Sequence, residues 1–80
     1  MGDQTDEQKV IAALRKLGVT APDMTATTSL RDDLGLDSAA LIELTVLVHQ
    51  LYGVDLGRRA AEAQALPATI GDLTRLMGTP

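Results

Sequence analysis

An all-α fold is predicted for this chain: a four-helix bundle of three main helices and a short third helix, with a long loop between helices one and two. Three observations predict it. Apolar residues recur at three- and four-residue spacing in 10–17, 41–52 and 70–77. These runs are closed by a glycine, Gly18, Gly53 or Gly78, and opened by polar residues suited to capping. No stretch alternates apolar and polar residues as a half-buried strand would.

Helix one is expected to start at Thr5, with Gln8 three residues on and the acids Asp6 and Glu7 in the favourable first turn. Val10, Ile11, Leu14 and Leu17 share its inner face, and Gly18 stops it. The connection that follows, residues 18–36, contains Pro22, two glycines and five serines or threonines. A loop of that length inside a small domain is unusual and often functional. Within it Ser29 to Asp32 can form one capped turn, with Leu30 and Leu34 pinning that turn to the core.

Helix two is expected from about Ser38 to Tyr52. Leu41, Leu44, Val48, Leu51 and Tyr52 define its core face, while Ile42, Val46 and Leu47 fall outside it. A helix apolar on two sides sits centrally or offers one side to a partner. A weaker helix is expected over residues 58–65, ended by Leu66 and Pro67. The last starts at Thr69 with Asp72 at its third position and carries Ile70, Leu73, Leu76 and Met77 on one face.

Composition removes several function classes. Eighty residues make a single domain, 1–80, of modest core. With no cysteine and one histidine, His49, no metal site is expected. One aromatic residue and a net charge of −4 argue against nucleic acid as a partner. The acidic start, from Met1 to Asp6, lacks the order of a secretory signal, and no apolar run is long enough to span a bilayer. A soluble, cytoplasmic monomer is expected. Charge is uneven along the chain: both ends balance to zero, while residues 18–53 set Asp23, Asp32, Asp33, Asp37 and Glu43 against Arg31 alone. Basic partners would be steered to that region.

Ser38, one of two serines, admits three readings. Asp37 or Ser38 can cap helix two, and on the dipeptide alone capping is favoured. A catalytic serine needs a base within hydrogen-bond reach, and His49 lies roughly 16 Å further along the same helix at 1.5 Å per residue. That disfavours a hydrolase. A serine at a helix N-terminus is also well placed to carry a phosphate attached by another enzyme. Gly35 would let the chain turn tightly before it, and Asp37 would help hold a magnesium ion during transfer.

The run Ser29-Leu30-Arg31-Asp32-Asp33-Leu34-Gly35-Leu36-Asp37-Ser38 resembles the segment around the attachment serine of acyl carrier proteins. The resemblance extends over nearly the whole chain, through the helix layout to Thr69-Ile70-Gly71-Asp72-Leu73 at the start of the last helix. It implies that Ser38 receives 4′-phosphopantetheine from coenzyme A and that Asp37 supports the modification. It further implies a non-catalytic, stand-alone carrier whose arm holds acyl groups as thioesters. Its expected partners are a phosphopantetheinyl transferase and acyl-loading, condensing and tailoring enzymes. Ala39 stands where the family usually has leucine, and helix two has few of the family's acids. Asp37 before the serine is more similar to fatty-acid and polyketide carriers than to peptidyl carriers, so a dedicated acyl pathway is the leading expectation. A peptidyl or aminoacyl carrier is the alternative within the class. A small helical interaction module with Ser38 only a cap is the alternative outside it. Partner recognition is expected at Ala39, Glu43, Val46 and Leu47.

Overall fold

The computed structural model describes residues 4–78. The acidic start at Met1 to Asp3 lies outside them. Four helices follow one another: α1 (Asp6–Lys16), α2 (Ser38–Tyr52), α3 (Leu56–Ala63) and α4 (Ile70–Met77). No strand forms among the described residues, and no single helix there is long and apolar enough to cross a membrane. The helices contact in a ring, α1 against α2 and α4, and α3 against α2 and α4.

The expected caps are present. Thr5 Oγ1 accepts the Gln8 amide at 3.1 Å and Gln8 Oε1 accepts the Thr5 amide at 2.9 Å. Thr69 and Asp72 form the same reciprocal pair at the start of α4, and Arg75 pairs with the Asp72 carboxylate. The Ala68 amide, then those of Thr69 and the Arg75 charge, hold the Asp72 carboxyl below its ordinary value despite partial burial. Its contribution to stability is therefore present above the unfolded-state pKa and is lost as pH falls through the folded-state value. Arg59 of α3 donates from Nη1 to the Leu76 and Met77 carbonyls at 2.7 and 2.9 Å, covering the C-terminal end of α4.

The core is built from Val10, Ala13 and Leu14 of α1, Leu44 and Val48 of α2, Leu56 of α3, and Ile70, Leu73 and Met77 of α4. Met24, Leu30 and Leu36 of the long loop complete it. On α2 the buried face differs from the expected one in two places. Leu47 packs against the core although the spacing put it outside. It lies about 60° around the helix from Leu44, near enough to reach inward. Leu51, expected inside, is 40% exposed because it sits in the last turn, where cover runs out. Tyr52 is half-buried, with Lys9 of α1 over its ring at 5.6 Å. Helix α3 also starts earlier than expected, at Leu56 rather than near residue 58. Asp55 Oδ1 caps it by accepting the Arg58 amide at 3.0 Å, and Gln64 ends it in a left-handed conformation at φ 57°. The last two helices are equally long, eight residues each.

The long loop is tied down by backbone hydrogen bonds. Ser29 pairs with Thr69 in an isolated antiparallel bridge. The Leu30 amide donates to the Ala68 carbonyl at 2.9 Å, and the first two amides of α4, Ile70 and Gly71, donate to Thr28 and Ala26 at 3.1 and 2.8 Å. The first amides of a helix have no partner inside it, so the loop supplies one here. The expected turn also forms: the Asp32 amide donates to Ser29 Oγ and the Ser29 amide to Asp33 Oδ2, at 3.0 and 2.7 Å.

Gly71 is where loop and helix come closest: a Cβ there would stand 2.8 Å from the Ala26 carbonyl oxygen, which is backbone and cannot swing aside. Gly71→Ala should therefore cost about 1–3 kcal/mol of overpacking, outweighing the roughly 1 kcal/mol that alanine gains over glycine in a helix. Gly57→Ala is the control, because its Cβ would meet nothing nearer than 3.6 Å. Urea unfolding should show a loss for the first and none for the second.

Candidate functional site

Four consecutive residues, 35–38, divide the work at the start of α2. Gly35 turns the chain at φ 70°, a conformation that costs glycine little. The Leu36 amide then donates to the Leu30 carbonyl at 2.9 Å and its side chain enters the core, 6% exposed. Asp37 is the N-cap, with Oδ1 accepting the Ala40 amide at 2.8 Å. Ser38 is the first helical residue and is exposed. Its hydroxyl makes no hydrogen bond among the described residues. Of the two capping candidates, Asp37 does the capping, and Ser38 is left with an unengaged nucleophilic oxygen.

The surroundings of that oxygen suit a phosphate. The backbone amides of Ser38 and Ala39 have no acceptor among the described residues, as expected at the head of a helix, and the helix dipole favours negative charge there. His49 is exposed on the same helix, eleven residues further along, and is not brought to Ser38. No group of three or more metal-ligating side chains assembles among the described residues.

Ser38 also stands at the rim of a groove of about 580 Å³ between α2 and α3. Leu41, Ile42 and Thr45 form one wall and Gly57, Ala60 and Ala61 the other, with Leu44 and Leu73 in the floor. The groove exists because α3 presents small residues where larger ones would close it. Its size falls in the range of small-molecule sites, 300–1,000 Å³. Residue spacing alone did not reveal it; the sequence signal is the low side-chain volume of α3.

Of the residues expected to meet partners, Ala39 and Glu43 are exposed and Val46 is 51% exposed. Leu47 is half-buried against the core and is the poorer candidate. Ile42, one turn before Val46, is 64% exposed. Asp32, Asp33, Asp37 and Glu43 are all exposed, so the acidic stretch seen in the sequence becomes an acidic surface around Ser38.

A family model described as the phosphopantetheine attachment site matches residues 8–76. The chain belongs to that family. It is a phosphopantetheine carrier protein, of a kind that bears covalently attached 4′-phosphopantetheine and serves partner enzymes. No solved structure gives a significant match.

In this carrier the capping assignment has a direct thermodynamic consequence. Asp37→Ala should lose about 0.5–2 kcal/mol, as removal of an N-cap does. Ser38→Ala should stay within about 0.5 kcal/mol, as an exposed residue with no partner does. Thermal or urea melts of the two variants check this; the reverse order would make Ser38 the cap.

Proposed function

We propose that Ser38 is the attachment residue and that the protein is an acyl carrier of fatty-acid or polyketide type. The observation that carries the first part is the free, exposed hydroxyl of Ser38 at the first position of α2, released from capping by Asp37. In the transfer the Ser38 oxygen attacks the phosphorus attached to pantetheine in coenzyme A. The bond to the bridging oxygen of the diphosphate breaks, the nucleotide half leaves with the other phosphate, and the hydroxyl proton passes to a base of the transferase. Asp37 uses Oδ1 for the cap, which leaves its second carboxylate oxygen for the magnesium ion of that reaction. The attached arm supplies a thiol that holds the cargo as a thioester.

The apolar groove beside Ser38 supports an acyl rather than an aminoacyl cargo, because its walls between α2 and α3 are mostly hydrocarbon. Partner enzymes would meet Ala39, Glu43 and Val46 with Ile42: acidic groups steer a basic surface in, and the two apolar side chains provide contact. The protein supplies a rigid mount and a recognisable face, and the flexible arm raises the cargo's effective concentration at each enzyme.

Intact-mass measurement after incubation with coenzyme A, magnesium and a broad-specificity transferase tests the reading. One phosphopantetheine should be added to the wild type and none to Ser38→Ala. The product should then accept fatty-acyl groups from an acyl-loading enzyme in preference to amino acids from an adenylating one. Modification at Ser29, or at neither serine, would defeat the proposal, and preferential aminoacylation would make the protein a peptidyl-type carrier.

A further inference from the structure

One side chain lining the same groove as Ser38 has no role in the fold or in the steps above. Arg31 is the single arginine or lysine in the acidic stretch 18–53, and it is the one charged side chain among those lining the groove at whose rim Ser38 stands. Its backbone is well held. The Arg31 carbonyl accepts the Gly35 amide at 3.0 Å, and its neighbour Leu30 is buried and bonded to Ala68. Its guanidinium, by contrast, makes no ion pair or hydrogen bond among the described residues, although Asp32 and Asp33 follow it directly. Asp33 instead accepts the Ser29 amide through Oδ2. An arginine on a fixed turn, facing an apolar groove with no counter-ion, is prepared for an anion that arrives from outside.

Resting on the reading of Ser38 as the attachment residue, we propose that Arg31 is a positioning residue for the arm, pairing through its guanidinium with the phosphodiester on Ser38. That phosphodiester is bonded to Ser38 Oγ and carries one negative charge, so it is created at the rim Arg31 shares. The planar guanidinium fork matches two phosphate oxygens, a geometry an ammonium does not reproduce. The unpaired amides of Ser38 and Ala39 meet the phosphate from the helix side and Arg31 meets it from the loop side. The first bonds of the arm are thereby fixed, while its far end stays free to reach partner enzymes. The pairing also neutralises the one positive charge of the acidic surface, so the modified protein presents a more uniformly negative face than the unmodified one.

Nuclear magnetic resonance of the full chain, at low salt and before and after conversion, tests this on wild type, Arg31→Gln and Arg31→Lys, with conversion checked by mass. In the wild type the Arg31 Nε–H resonance should shift on modification and its exchange with water should slow. The phosphorus resonance should differ between wild type and Arg31→Gln, with Arg31→Lys nearer the wild type, and the difference should shrink at high salt. An Arg31 resonance unmoved by modification, with coincident phosphorus resonances in all three proteins, would overturn the proposal and leave the carrier reading intact. Failure of Ser38 to gain mass would overturn both.

Discussion

The structure depends on how the free amides at the head of α4 are used. A helix start offers donors that no residue inside the helix can satisfy. Here Ile70 and Gly71 donate to the carbonyls of Thr28 and Ala26, and Leu30 returns a bond to Ala68. The exchange turns a connection that would otherwise be costly to order into part of the core. It places Leu30 and Leu36 among the residues of α1, α2 and α4. It also fixes the chain shortly before Ser38, so the position of the Ser38 hydroxyl depends on the far end of the molecule. The close approach requires Gly71, where any side chain would run into Ala26.

The site follows from two economies of chemistry on that mount. Asp37 takes the capping role, which keeps the neighbouring hydroxyl free without leaving the helix start unsupported. Small residues on α3 leave an apolar groove open beside the same hydroxyl. Both features suit a member of a phosphopantetheine carrier family. Acidic side chains cluster on the same face because the loop and the first turns of α2 carry the whole excess of negative charge.

Much of this was legible in the residues, and the exceptions have physical causes. Caps announce themselves by side-chain type and spacing, so Thr5 with Gln8 and Thr69 with Asp72 could be read directly. The motif from Ser29 to Ser38 was equally legible and pointed to the family, whose model matches residues 8–76. The start of α3 was placed too late because its cap, Asp55, stands close after the Gly53 stop and is followed by Gly57, which weakens the helical pattern. Leu47 and Leu51 were assigned to the wrong sides because rotation about a helix axis says nothing of where neighbouring helices end. The bonds between loop and α4 join backbone groups, which every residue has, and so leave no trace in side-chain identity. The groove was missed because it is an absence of volume at Gly57, Ala60 and Ala61, seen only once α3 is set against α2.

The bonds between the loop and α4 make the two one cooperative unit with the core. Native-state hydrogen exchange, read amide by amide, measures this most directly. The amides of Leu30, Ile70 and Gly71 should exchange only when the whole protein unfolds, with the same opening free energy as those of Leu44 and Val48. Exchange of those three amides through a low-energy local opening, while Leu44 and Val48 stay protected, would contradict it and leave the loop before Ser38 untethered.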